Sequence, residues 1–145
     1  MTTLQEVIDI GSRERFLAVV STARADGTIQ SSVVNAGVLP HPTHGSEVVA
    51  FVTYGRAKLS NLRVRPQVSV TVRSGWEWAT GEGQSELIGP DDPHSGVDAE
   101  GLRLLLRAVF GAAGGTHDDW DSYDREMADQ RRTAVLITPT RIYSN

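Results

Sequence analysis

Residues 47–73, EVVAFVTYGRAKLSNLRVRPQVSVTVR, hold three kinds of element in one short run. Glu47 to Thr53 is apolar at its centre and short, as a buried strand is. Arg56 to Arg63 places Leu59 and Leu62 three apart and stops before Pro66, which predicts a short helix ended by proline. Gln67 to Arg73 then alternates Val68, Val70 and Val72 on one face, the period of a half-buried strand.

The same alternation extends in both directions along the chain. Upstream, Phe16 to Thr22 and Ile29 to Asn35 flank the turn residues Ala25-Asp26-Gly27 and read as a hairpin. Downstream, Trp76 to Leu87 reads as the antiparallel partner of Gln67–Arg73 across Ser74-Gly75, and Arg132 to Tyr143 supplies a last strand. Thr3 and Glu6 have capping-box spacing and open a first helix. Leu102, Leu105, Leu106, Val109 and Phe110 recur at helical intervals. After the Gly111–Gly115 connector, Thr116 can cap another helix that buries Trp120, Tyr123 and Met127. The expected architecture is α+β: a six-stranded antiparallel barrel, closed or nearly so, with peripheral helices. Closure is the usual way for short strands to hide their edges.

With 145 residues the chain fits a single domain, 1–145, and such a chain buries about two-thirds of its extended surface on folding. It has no cysteine, which excludes disulfides, thiolate nucleophiles and cysteine-ligated metals. No segment has the roughly 18 apolar residues of a membrane span, and the first residues lack a signal-peptide pattern, so a soluble, cytoplasmic protein is expected. A net charge of -4 and a pI near 5.5 give no overall attraction to nucleic acid.

Three groups of residues could carry chemistry. Arg56 and Lys58 stand at a strand-to-helix junction, where two cations and free helix amides can meet a phosphate. The spacing alone favours a solvated basic helix face. Trp76 and Trp78, two apart at the start of a strand, offer a flat wall to a planar ring, or else serve a core or an oligomer interface. Gln30 and Ser32 share one strand face, which points either to a ligand or to water. His41 and His44 fall in a Pro/Gly loop with no carboxylate placed to complete a metal set, so an exposed loop is expected there and no metal is assigned. His94 and His117 also fall in loop-like stretches. Neither a nucleophile elbow nor a phosphate-loop or dinucleotide fingerprint is present.

Arg56-Ala57-Lys58, Asn61-Leu62-Arg63, Pro66 and Gly75-Trp76-Glu77-Trp78 with Gly81-Glu82-Gly83 together resemble the pyridoxamine 5'-phosphate oxidase-like split-barrel superfamily. Within it the pattern resembles the actinobacterial deazaflavin-dependent oxidoreductases of the B type, which use coenzyme F420. The resemblance extends to His117-Asp118-Asp119-Trp120 and the final strand, and so covers most of the chain. It implies a homodimer with two cofactor sites between protomers. By position, Arg56 and Lys58 would hold the cofactor phosphate. Gln30, Ser32, Val33, Val52 and Thr53 would border the ring and its ribityl chain, and Trp76 and Trp78 would come from the partner subunit. Val33 is apolar where some relatives carry a polar side chain. Hydride transfer to a small unsaturated substrate is the activity implied. FMN in the same groove, a non-catalytic cofactor carrier and a heme-handling protein are the rival readings; an enzyme with a hydride-carrying cofactor needs little acid–base machinery of its own.

Overall fold

The computed structural model describes residues 2–145. Its elements run α1 (Leu4–Ser12), β1 (Leu17–Ala23), β2 (Ile29–Asn35), β3 (Gly37–Pro40), β4 (Glu47–Thr53), α2 (Arg56–Val64), β5 (Gln67–Ser74), β6 (Glu77–Ile88), α3 (Ala99–Ala112), α4 (Trp120–Asp129) and β7 (Thr133–Ser144). Local chemistry accounts for most of the boundaries. Thr3 and Glu6 form the expected reciprocal cap, the Thr3 hydroxyl accepting from the Glu6 amide and the Glu6 carboxylate from the Thr3 amide. α2 stops at Val64, two residues before Pro66.

The strands form one antiparallel sheet in the order β2-β1-β5-β6-β7-β4-β3. Its two edge strands are consecutive in the chain, and β2 also lies against β4, so the sheet curls into the expected split barrel. The strand beyond the expected six is β3, four residues long and too short to show an alternating pattern. At its start, a Cβ on Gly37 would stand 2.4 Å from the backbone of Ala112, so only glycine lets the end of α3 rest on this strand.

Two apolar clusters share the sheet. Val20, Phe51, Val70 and Val135 fill the barrel, with Val7 and Ile10 of α1 and Leu59 and Leu62 of α2 packed against them. On the other side of β4 and β7, Val48, Ala50 and Leu136 meet Leu105, Leu106 and Val109 of α3 and Tyr123 of α4. β4 and the first half of β7 are therefore buried on both faces. The outer face of β1 and β2 has no helical cover among the described residues. There Leu17, Val19, Ile29 and Val33 stand exposed on the outer face of β1 and β2, with Val19 directly across from Val33. No helix among the described residues is long and apolar enough to cross a membrane.

The second half of the chain corrects three details. α4 begins at Trp120 under an Asp119 cap, whose carboxylate accepts from Ser122 N–H at 3.1 Å, rather than under Thr116. β6 begins at Glu77, because Gly75 at φ +59° turns the chain and leaves Trp76 in the turn. α3 runs through Ala112, so two residues of the expected connector belong to the helix.

Candidate functional site

Strand β4 delivers the chain to Gly55 and turns it into α2, which places Lys58 one turn along the helix, under the end of the barrel. Its side chain is inside the fold, the residue being only 8% exposed. The ammonium donates to the Ser32 hydroxyl at 2.6 Å, and no carboxylate among the described residues reaches it. Burial holds its pKa below the ordinary lysine value. A buried cation with no counter-charge is costly, and an anion beside it would offset that cost.

The surroundings fit that anion. Gly55 caps α2 without any side-chain bond to its first turn, which leaves helix-start amides open. Gly55 keeps this corner open: a Cβ there would sit 3.3 Å from both Lys58 Nζ and Thr53 Oγ1 and would press on those side chains. The Thr53 hydroxyl accepts from Gly55 N–H at 3.1 Å and is held in place by it. Gln30 and Ser32 share the inward-turned face of β2, as their spacing predicts. Gln30 Oε1 accepts from the Thr22 hydroxyl, which in turn accepts from Asn61 Nδ2, each at 3.0 Å. This relay ties β2 and β1 to α2 beside Lys58.

A cleft of about 460 Å³ opens over this corner, within the range of small-molecule sites. Val33, Val52, Thr53 and Lys58 line it together, with Ser32 bonded to Lys58. Arg56 begins the same helix turn but its side chain is exposed. Trp76 and Trp78 lie elsewhere in the protomer. Trp76 is 92% exposed in the β5–β6 turn, and Trp78 packs edge-on against Tyr143. The turn puts Trp76 just ahead of the strand rather than in it, yet the two indoles line one further cleft, of about 580 Å³, together with Thr71 and Arg73.

The sequence reading missed the aromatic and basic wall of this cleft. Tyr54, Phe110 and Tyr123 line it, as does Arg132, whose guanidinium lies 3.9 Å from the Tyr54 ring centroid. The Tyr123 hydroxyl donates to the Leu106 carbonyl, and burial pushes its pKa up to about 12, so it stays a neutral donor. Tyr54 follows the β4 strand directly and was legible as a neighbour of Arg56. Phe110, Tyr123 and Arg132 carry no local signal, since distant helices and strands bring them in.

The expected exposed histidine loop holds for Pro42 to Gly45, His44 included, and is corrected at His41. His41 is 3% exposed and stacks on His44, and its Nε2 lies 2.7 Å from Glu86 Oε1. His94 Nε2 lies 2.6 Å from the other Glu86 oxygen. Thr43 N–H donates to His41 Nδ1 and Gly96 N–H donates to His94 Nδ1, so each ring carries its proton on Nε2 and donates it to the carboxylate. Burial raises the Glu86 pKa, but these two bonds outweigh it and hold the group below the ordinary glutamate value. The three ligand atoms lie within 4.8 Å of one another, a set that could hold a metal ion. An ion at Nε2 would have to displace both ring protons while Nδ1 is committed to a backbone amide, the reverse of the usual second-sphere arrangement. The structure uses the cluster as a pin between three chain segments. Glu86 lies 45 residues from His41, and strand register supplies what spacing could not show.

Known structures share this architecture. A conserved hypothetical protein from Mycobacterium tuberculosis superposes with a TM-score of 0.68 at 19% identity, covering 99% of this chain and 84% of its own. A protein described as an F420 reductase gives 0.58 at 18% identity over 89% of this chain and 90% of its own. A pyridoxamine 5'-phosphate oxidase-related, FMN-binding protein from Nostoc punctiforme gives 0.61 at 13% identity, covering 99% and 86%. At these identities the likeness is one of fold. The family model for pyridoxamine 5'-phosphate oxidase matches residues 4–145, almost the whole chain, and to that family this protein belongs.

Proposed function

We propose that this protein is an F420-dependent reductase that moves a hydride between the reduced deazaflavin and a small unsaturated organic substrate, and that it works as a homodimer. The observation that carries the reading is Lys58, a buried ammonium without a counter-charge beside the open start of α2. The F420 reductase among its structural neighbours and the motif resemblance around Arg56-Ala57-Lys58 support the choice of cofactor.

Lys58 and the first-turn amides of α2 would hold the cofactor phosphate, and the exposed Arg56 would close on it from the solvent side. Ser32 and Thr53 would offer hydroxyls to the linker. Val33 and Val52 would give apolar contact to the ring, and Gln30, whose carbonyl oxygen is taken by Thr22, would keep its amide N–H groups for a ring edge. The cofactor supplies the hydride when bound; the protein binds and orients it and limits the access of water. The second copy would sit on the uncovered half of the barrel and bring Trp76 and Trp78 to the partner's site. The exposed apolar side chains Leu17, Val19, Val33 and Trp76 support such an interface.

Fluorescence titration of the purified apoprotein with F420 and with FMN tests the reading, followed by reoxidation of the reduced deazaflavin against a panel of enones and quinones. Tight F420 binding with turnover is expected. FMN binding alone would move the protein to the FMN-dependent oxidases and reductases of its family, and tight F420 binding without turnover would make it a carrier. Lys58→Met is expected to weaken cofactor binding by more than tenfold, the scale of one charge-assisted phosphate contact of about 1.5–3 kcal/mol. The same variant should melt higher than the parent without ligand, because the buried charge is gone. Unchanged affinity in this variant removes Lys58 from the site.

A further inference from the structure

A second cleft, of about 490 Å³, lies between α3, α4 and the 89–98 segment, and its wall is mostly hydrocarbon: Ile88, Val97, Leu102, Leu106 and Met127 line it. It is a neighbour of the Lys58 cleft, since Met127 and Arg132 line both. The charged groups around it are almost all spoken for. Arg103 pairs with Glu100 and Asp124, and Asp92 accepts from Nε and Nη2 of Arg63 at 2.9 and 2.7 Å. Asp98 caps α3 through the Gly101 amide at 2.7 Å, and His94 donates to Glu86.

Arg132 is the exception. Its Nε donates to the neutral Gln130 amide oxygen at 2.8 Å and its guanidinium rests on Tyr54, but no carboxylate among the described residues pairs with it. It is half-buried at the partition between the two clefts. An arginine in that position can donate two parallel bonds to an acid group while its stem stays in apolar contact.

We infer that the α3–α4 cleft seats the second reactant, and that this reactant is an apolar molecule carrying one carboxylate or similar acid group, which Arg132 holds at the passage toward the Lys58 cleft. Naming this molecule as the hydride acceptor rests on the function proposed above; the acid-binding apolar site stands on the cleft and Arg132 alone. The cleft volume suits a molecule of drug size, and the apolar wall supplies affinity while the single cation sets orientation.

The apoprotein can be tested directly with 8-anilinonaphthalene-1-sulfonate, an apolar fluorophore with one acid group, displaced by decanoate or by decanol. Decanoate is expected to compete at roughly tenfold lower concentration than decanol, the scale of one charge-assisted pair. Arg132→Gln should erase that difference, and Arg132→Lys should retain part of it. Leu102→Trp, which fills the cleft, should weaken both competitors. Lys58→Met should leave the preference for decanoate in place. A preference that survives Arg132→Gln, or that disappears with Lys58→Met alone, overturns the proposal, as does probe binding untouched by Leu102→Trp. F420 and FMN titrations on the same preparations separate the two claims: an acid-selective cleft in a protein that binds neither cofactor keeps this site and removes the reductase, and the converse result removes only this site.

Discussion

β4 and β1 are both seven-residue strands of the same barrel, yet they live in different surroundings. β4 is buried on both faces, between the barrel interior and α3, and it reads as a nearly continuous apolar run. β1 alternates, with Ala18, Val20 and Thr22 inward and Leu17 and Val19 in solvent. On the outer face of β1 and β2, Leu17, Val19, Ile29 and Val33 stand exposed among the polar Ser21, Ser31 and Asn35. The contrast separates a half of the barrel covered by its own helices from a half whose outer face leaves apolar side chains in solvent, the face on which the proposed second copy would sit.

The largest expected effect breaks the finished half. Phe51 is fully buried at the centre of the barrel, and Phe51→Ala should cost about 3–5 kcal/mol in urea unfolding. Val33→Ala, on the open half, should change the unfolding of the monomer by less than about 0.5 kcal/mol. Equal costs at the two positions would mean that the two halves do not differ as described.

The next effect sharpens the comparison from the open side. Val19 and Val33 are cross-strand partners, and replacing both with Asp puts two like charges side by side on the exposed face. Sedimentation velocity is expected to show the parent as a dimer and the double variant as a folded monomer. A parent that sediments as a monomer at micromolar concentration would leave the exposed face without a second copy.

The smallest effect concerns how the helical cover is fastened. Asp124 of α4 accepts from Arg107 and Arg103 of α3, and the bonds from Arg107, followed by those from Arg103, hold its pKa at about 2 against burial. Its ordinary value is 3.8, so the stabilisation is complete above about pH 4 and drains away as pH falls toward 2. Acid unfolding followed by circular dichroism should lose part of its slope in that window in Asp124→Asn, and none of it near neutral pH.

Much of the barrel was legible because its signals are local. The Thr3–Glu6 cap, the proline after α2, the Val68-Val70-Val72 alternation and the apolar centre of β4 each depend on residues within a few positions. The corner around Lys58 was legible for the same reason, since Thr53, Arg56 and Lys58 follow one another in the chain. Its environment was not: spacing alone favoured a solvated basic face, which holds for the exposed Arg56 but not for the buried Lys58, because a helix start reads alike whether its lysine faces water or the barrel. For Trp76 and Trp78 the local pattern missed only the turn: a positive φ at Gly75 sets the first indole ahead of the strand, and both still line one cleft. His41, Glu86 and His94, like Tyr54 and Arg132, meet only through sheet register and helix packing, which no local pattern encodes.

Glu86 sits two residues before Ile88, at the end of β6 that forms one side of the apolar cleft. With an imidazole fastened to each of its oxygens, the carboxylate acts as a strut linking the β3–β4 turn, the sheet and the 89–98 segment. That segment has little regular structure, but it is braced at His94. The Gly96 amide, bonded to the braced His94 ring, is therefore expected to exchange more slowly than the amides of the free surface turns, a difference that hydrogen exchange would read.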